Sequence, residues 1–322
     1  GAGLGFFGLG LVTEQLSRID LGISLVIAAA TFGSENIMMY GTEEQKKKYL
    51  PLLVNGQAIS AGAYTEPDAG TDVASIRTTA TKEGKKYVIN GNKIFITNGT
   101  VCDWMVVLCV TQPDEEKRYD RHSLILVESD RKGVEVNQLK GKLGVRASET
   151  TEIAFSDVCV PCENLIGDQG KGFYQLMHFF DATRTMVAAQ GVGLAQGALD
   201  RTVRYVQERK VQGKPLAASQ SIQFQLAEMA TKIELARTIT YKAAWQVDQG
   251  RTDPTLNAMA KYFSGEMAVW VCGEALEIHA AFSPEALYDE YDIQRFFRDA
   301  KILESYEGTK EAEIMTISWR LL

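Results

Sequence analysis

The chain of 322 residues predicts a mainly helical α+β protein in three parts. These are an N-terminal helical segment over residues 1–57, a middle β-barrel or β-sandwich domain over 58–165, and a C-terminal helical bundle over 166–322. Three observations carry this prediction. Apolar residues recur at helical spacing up to about residue 55. From about residue 58 the pattern changes to short β-branched and aromatic runs separated by charged loops. From Gly172 the helical period returns, in amphipathic segments longer than about 20 residues with short connections, as a bundle requires.

The elements follow in order. Gly1 to Gly8 contains G-x-G-x-x-G at Gly3, Gly5 and Gly8. A dinucleotide fingerprint needs a strand before it and a βαβ unit around it. Neither fits at residue 1, so the stretch reads as a loop entering a helix, in a chain expected to lack its native N-terminal segment. Leu11 to Leu16 and the stretch through Ile37-Met38-Met39-Tyr40 are helical. Gly41 then acts as a stop, Thr42 as an N-cap, and Glu43 and Glu44 as acidic first-turn residues. Tyr87 to Ile96 reads as two strands joined by a polar turn at Asn90-Gly91. Trp104–Val110, Ser123–Val127 and Thr151–Phe155 continue the β character, with charged linkers at Gln112–Arg121 and Ser129–Lys132. Val187–Glu208, Ser221–Gly250 and Asp253–His279 are three long helices. A further helix is expected over Arg295–Ser305.

Composition narrows the function classes. A formal net charge of −7 opposes a bulk-electrostatic partnership with nucleic acid. The longest apolar run, Leu21 to Phe32, is too short and interrupted to span a bilayer. The N-terminus has no basic n-region of a signal peptide. The five cysteines are scattered, which suits a reducing compartment: the cytoplasm or, in a eukaryote, the mitochondrial matrix. Cys159-Val160-Pro161-Cys162 is formally C-x-x-C, but no second pair or βαβ setting accompanies it. It reads as a strand end followed by a turn rather than as a redox or zinc site, and no metal centre is expected.

The strongest chemical feature lies near the C-terminus, in Tyr306-Glu307-Gly308-Thr309. A carboxylate packed against an aromatic ring loses hydration, so its pKa rises and it becomes a usable general base. A solvated glutamate in a turn is the other reading of this tetrapeptide. Five further segments accompany it. They are Tyr64-Thr65-Glu66-Pro67-Asp68-Ala69-Gly70-Thr71-Asp72, Lys93-Ile94-Phe95-Ile96-Thr97-Asn98-Gly99, Phe180-Asp181-Ala182-Thr183-Arg184, Arg209-Lys210-Val211-Gln212-Gly213-Lys214 and Arg298-Asp299-Ala300-Lys301. In this order and spacing the set resembles the acyl-CoA dehydrogenase family over nearly the whole chain.

The resemblance implies FAD-dependent α,β-dehydrogenation of an acyl-CoA thioester. Glu307 would abstract the α-proton and the hydride would pass to flavin N5. The developing enolate charge needs hydrogen-bond donors, which the family draws from the backbone N–H of the catalytic glutamate and from the flavin ribityl chain. By the same resemblance Thr65, Gly70 and Thr71 line the flavin pyrimidine side, Thr97 lies by N5, and Phe95 packs on the ring. For Phe95 an ordinary strand interior is the competing reading. Arg209 and Gln220 match positions that reach the FAD of a neighbouring subunit, and Thr309 also belongs to the cofactor set. Ser148, Asp181, Arg184 and Tyr306 match substrate-binding positions. For Arg184 an exposed helix charge is the alternative. The partners implied are an acyl-CoA, an electron-transfer flavoprotein, and further subunits in a homotetramer or in a heteromer with a related chain.

The sequence also departs from the family pattern. Gln212 stands where an aromatic often precedes the Gly-Lys pair, Glu277 where Gln is common, and Ala280-Ala281 where two glycines are common. Lys310-Glu311 replaces a small polar residue followed by Gln, and Phe282 to Glu290 replaces a short glycine-rich turn. Negative charge at Glu277 and Glu311 is unfavourable beside a diphosphate unless a cation such as Lys310 offsets it. Three explanations fit: FAD held in a shifted pose, a heteromer whose partner completes the diphosphate site, or weakened cofactor binding. An atypical chemistry, γ-deprotonation of a conjugated or cyclic acyl-CoA, is a further alternative. No arginine occurs in Leu21 to Ala30, the helix that would line the acyl pocket, which argues against a terminal carboxylate on the substrate. Ala28 to Ala30 suit a branched or cyclic acyl group or simply helix propensity.

Overall fold

The computed structural model describes residues 3–322, so Gly1 and Ala2 of the glycine-rich start lie outside the described residues. The architecture is mixed α+β: helices first, then a sheet domain, then helices. The N-terminal helices are α1 (Gly5–Ser17), α2 (Leu21–Ala29), α3 (Glu35–Tyr40) and α4 (Glu43–Val54). The Thr42 hydroxyl accepts from the Gln45 N–H, while the Gln45 side chain accepts from the Thr42 N–H, which closes a capping box at the start of α4. The expected N-cap is therefore present.

Chain contacts divide the molecule into two compact units. The first holds the N-terminal residues through Leu25, Leu143–Arg146 and Phe180–Leu322; the second holds Val26–Lys142 and Ala147–Phe179. The second unit is built on eight strands: β1 (Ser60–Ala63), β2 (Thr79–Glu83), β3 (Lys86–Thr97), β4 (Trp104–Val110), β5 (His122–Glu128), β6 (Val134–Gln138), β7 (Thr150–Pro161) and β8 (Leu165–Ile166). They hydrogen-bond in the order β6-β7-β3-β2-β4-β5-β8, with β1 parallel to β4 off this path. Side chains from β3 and β7 (Ile89, Ile153, Phe155, Val158) share one buried core with Met105, Val107, Ile125 and Val127 from β4 and β5. The sheet thus folds around its own apolar face, as the period-two alternation requires.

Asn90-Gly91 is not a turn. β3 runs unbroken from Lys86 to Thr97 and pairs along its length with β7, with bulges between Ile89 and Gly91 and between Lys93 and Ile96. The actual reversal lies between β2 and β3, at Gly84 and Lys85. Gly91 is demanded by a close approach: at its φ of 149° a Cβ would stand 2.4 Å from the Thr78 hydroxyl oxygen. A glycine inside a strand often marks such a contact or a bulge. Cys159 lies two residues before the end of β7 and Cys162 opens a short 3-10 turn, with both thiols free.

The first unit is helical, around α5 (Gly172–Glu208), α6 (Gln220–Asp248), α7 (Pro254–Phe282), α8 (Ile293–Ala300) and α9 (Lys310–Leu321); the unit boundary falls within α2 and α5. α7 starts with Pro254 in its first turn and an Asp253 cap whose carboxylate accepts from Thr255 N (2.9 Å) and Leu256 N (3.3 Å). The core joins Val192, Leu194 and Ala195 of α5 with Met229 and Ile233 of α6, Val271 and Cys272 of α7, and Phe296 of α8. The helix expected over Arg295–Ser305 starts two residues earlier and tightens into a 3-10 turn at Lys301–Glu304. Among the described residues no helix is long and apolar enough to cross a membrane.

Candidate active site

In the helical unit, the Tyr306–Thr309 turn lies among charged side chains delivered by three helices. Glu307 has a φ of 52° and Gly308 a φ of 108°. A left-handed conformation in a long-chained residue such as glutamate is costly, and such strain concentrates at functional sites. Thr309 closes the turn as the N-cap of α9, its hydroxyl accepting from Ala312 N at 3.2 Å. The Lys261 ammonium of α7 donates to the Gly308 carbonyl, and the Tyr306 hydroxyl donates to the Gln190 side-chain oxygen of α5. Together these contacts hold the strained turn in place.

Burial pushes the Glu307 carboxyl above the ordinary range, against the opposing pull of the Thr183 hydroxyl, Arg184 and Lys261. Its Oε2 is buried without a hydrogen-bond partner. The solvated-turn reading of the tetrapeptide therefore does not describe this glutamate. Burial also raises the Tyr306 phenol, and the Glu307 charge adds to that effect. Lys261, 1% exposed, is pushed down to about 8 by burial despite its acidic neighbours.

Arg184 is not an exposed helix charge. It is 9% exposed, its Nη1 donates to Asp181 at 2.9 Å, and its Nε lies 3.0 Å from Glu313 Oε1 of α9. The Asp181 carbonyl accepts from Asn257 of α7 at 2.5 Å. Glu313 and Lys261 were absent from the sequence-based site. Nothing in the local pattern marks them, since each sits on a long helix and meets Glu307 only through tertiary packing.

The sheet unit gathers Thr65, Gly70, Thr71, Phe95, Thr97 and Ser148. Ile94 N donates to the Thr65 carbonyl at 2.9 Å, which sets Thr65 beside β3. Glu66 and Ala69 then exchange backbone hydrogen bonds of 3.0 and 3.1 Å in a tight turn, leaving Gly70 and Thr71 exposed. A buried ion pair that the sequence-based site did not include fixes this loop. Lys93 Nζ lies 2.9 Å from Glu66 Oε1, and the Glu66 carboxylate also accepts from Arg77 N (2.6 Å) and Thr78 N (2.9 Å). Burial alone would raise the Glu66 pKa; Lys93 and these donors outweigh it and hold the carboxyl below its usual range. A lysine amid the apolar positions of β3 was the available signal.

Phe95 is 65% exposed at a φ of 60°, in the bulge of β3, so it is not a strand-interior residue; Ile96, at 2%, is. Just beyond Thr97, Asn98 donates to the Ala29 carbonyl at 2.7 Å and fixes the end of the strand. Phe95, Gly70 and Ser148 each present a feature that contacts within the protein do not use. Phe95 offers a ring to stack against. No protein atom lies within 4 Å of where a Cβ at Gly70 would stand, so packing does not demand that glycine. The Ser148 hydroxyl is buried with no partner in the protein.

The remaining expected residues sit elsewhere in the helical unit. Gln212 (φ 51°) and Gly213 (φ 80°) make the turn between the short strands β9 (Lys210–Val211) and β10 (Lys214–Pro215). Arg209 Nη2 donates to the Phe282 carbonyl at 2.5 Å, tying this hairpin to the end of α7 that bears Glu277, Ala280 and Ala281. Gln220, the first residue of α6, is exposed, as are Glu277 and Glu311. Among the described residues no cluster of His, Cys, Asp and Glu has the makings of a metal site.

Comparison with known proteins places this geometry. The chain matches the models for the acyl-CoA dehydrogenase N-terminal domain over residues 1–57, the middle domain over 61–158 and the C-terminal domain over 170–322. It is 38% identical over 325 residues to an acyl-CoA dehydrogenase of Bacillus subtilis, covering 100% of this chain and 84% of the relative. The butyryl-CoA dehydrogenase structure from Megasphaera elsdenii superposes with a TM-score of 0.92 at 38% identity, covering 97% of this chain and 81% of that one. A chain solved in work on the electron transferring flavoprotein of Acidaminococcus fermentans gives 0.93 at 39%, with the same coverage. The chain belongs to the acyl-CoA dehydrogenase family and is an oxidoreductase whose cofactor is FAD.

Proposed function

We propose that Glu307 is the base that removes the α-proton of an acyl-CoA. The observation carrying this reading is its left-handed backbone together with a buried carboxylate oxygen that no protein group satisfies. A base near neutral pH needs a raised pKa and an unoccupied oxygen, and burial supplies the first. Arg184 and Lys261 favour the ionised form and oppose the burial effect, so the carboxyl is both basic and ionisable. The Glu307 N–H would donate to the thioester oxygen as negative charge develops there.

Bound FAD would supply the hydride acceptor that the reaction needs at Cβ. Phe95, Thr97, Thr65, Gly70 and Thr71 would hold the flavin ring, and Thr309 also belongs to the proposed cofactor-binding set. Arg209 and Gln220 would reach the cofactor of a neighbouring subunit in a homotetramer or a heteromer. The exposed charges Glu277 and Glu311 support a diphosphate held differently from the common pattern. Ser148, Asp181, Arg184 and Tyr306 would position the CoA thioester. The absence of arginine from Leu21 to Ala30 supports an acyl chain without a terminal carboxylate, and an electron-transfer flavoprotein would reoxidise the enzyme.

The purified protein should carry flavin absorbance, bleached anaerobically by one member of an acyl-CoA panel that includes butyryl-CoA. Glu307→Gln should keep the flavin and abolish bleaching. Retained bleaching would assign the base to another residue.

A further inference from the structure

Glu313 lies outside every residue set assigned above, yet it is the most deeply buried carboxylate of the helical unit, with 0% exposure. Neither of its oxygens has an aligned hydrogen bond. Oε1 contacts the Arg184 guanidinium at 3.0 Å, and a Cβ placed on Gly308 would stand 2.1 Å from that same oxygen. Gly308 is the residue after Glu307, so the strained turn rests directly on this carboxylate.

The groups facing Glu313 come from every element packed on it. α5 contributes Asp181 and Arg184, α7 contributes Lys261, and the preceding turn contributes Glu307. Glu304 also faces Lys261, while Lys310 is engaged with Glu266. In the inner cluster three carboxylates, Asp181, Glu307 and Glu313, meet two cations, the permanent Arg184 and Lys261, which burial pushes down to about 8. Asp181 is committed to Arg184. Full ionisation leaves an uncompensated negative charge beside the fully buried Glu313, which is costly. One proton neutralises the cluster, and only Glu307 and Glu313 compete for it.

We propose that Glu313 is a positioning residue that holds this spare proton, so that Glu307 is the ionised member of the pair when substrate arrives. This rests on the reading of Glu307 as base. Neither oxygen of Glu313 has an aligned hydrogen bond, so only the charges of Arg184 and Lys261 offset the burial of its anion, which leaves this carboxyl able to store a proton. Burial pushes Glu313 up to about 7, with Arg184 and Lys261 opposing and Asp181 and Glu307 reinforcing. The two glutamates titrate as a coupled pair, and loss of the second proton makes Glu307 more basic.

The test compares FAD-loaded wild type, Glu313→Gln and Glu307→Gln by infrared titration of protonated carboxyl groups, by thermal unfolding from pH 5.5 to 8, and by the pH profile of flavin bleaching with butyryl-CoA. Wild type should show a carboxyl titrating near neutral pH that Glu313→Gln lacks. Glu313→Gln should also gain stability relative to wild type as pH rises to about 7 and then level off, because in that window the unfolded carboxyl is ionised while the folded one keeps its proton. Its bleaching profile should lose the ionisation near neutral pH. The same infrared titration in wild type and Glu313→Gln, with parallel stability curves, would overturn the proposal. Glu307→Gln should retain a titrating Glu313. Retained bleaching in that variant would instead remove the base assignment, while leaving the Glu313 titration to stand or fall on the infrared result.

Discussion

Lys93 Nζ lies 2.9 Å from Glu66 Oε1, with both side chains buried, and this pair connects the strand bearing Phe95 and Thr97 to the loop bearing Thr65, Gly70 and Thr71. Removing one partner leaves the other charge buried and alone. Glu66→Gln or Lys93→Met should each cost about 3–5 kcal/mol in urea unfolding. The double variant Glu66→Gln/Lys93→Met should lose clearly less than the sum, because neither charge is then orphaned.

Phe95 is exposed and strained, so its removal should separate stability from cofactor binding. Phe95→Gly relieves a positive φ that glycine adopts freely. The apoprotein should be as stable as wild type or more so, by up to about 1 kcal/mol. Its flavin affinity should fall about tenfold with the loss of a stacking ring. Fluorescence titration of the apoprotein with FAD measures the second effect, and unchanged affinity would remove Phe95 from the cofactor site.

Gly308 disfavours any substitute. At φ 108° a side chain is strained, and its Cβ would overlap Glu313 Oε1. Gly308→Ala should cost about 1–3 kcal/mol, mainly from backbone strain, with the Glu313 carboxylate end displaced. Flavin bleaching should fall with it, since the turn that aims Glu307 must shift. Wild-type unfolding and turnover in this variant would show that the turn relaxes freely.

Glu128 supplies an acid-sensitive anchor in the sheet unit. Burial pushes its pKa up, but hydrogen bonds from Arg131 (2.6 Å) and the Tyr49 hydroxyl (2.8 Å) outweigh this and hold it at about 2. A depressed carboxyl contributes its stability above the unfolded value and loses it as pH falls through the folded one. That contribution is on the order of 3 kcal/mol at neutral pH. Glu128→Gln should be less stable than wild type by about 2–3 kcal/mol at pH 7, with the gap closing as pH falls below about 4.5. A gap independent of pH would assign the loss to packing instead.

Much of the fold was legible because it is written in local chemistry. Thr42 and Gln45 carry both halves of a capping box, Asp253-Pro254 starts a helix, and the change of apolar period near residue 58 separates helices from strands. Asn90-Gly91 misled because the dipeptide serves equally for a hairpin turn and for a strand that must pass close to Thr78. Only the position of Thr78 distinguishes the two. Phe95 showed the opposite case: its letter pattern suits a strand interior, and the β3 bulge turns it outward.

Sequence by itself determined the family, the order of helices, sheet and helices, and the segments that carry Glu307, Arg184 and Thr97, because each is a contiguous motif. Tertiary structure decided the electrostatics. Lys261 lies 46 positions and Glu313 six positions from Glu307 in the chain, and no motif links them. Packing of α7 and α9 on α5 buries them in one cluster, where the loss of water makes two cations and three carboxylates interdependent. The Tyr306-Glu307-Gly308-Thr309 motif thus identifies a candidate base, while the charges folded around it set how readily that base takes up a proton.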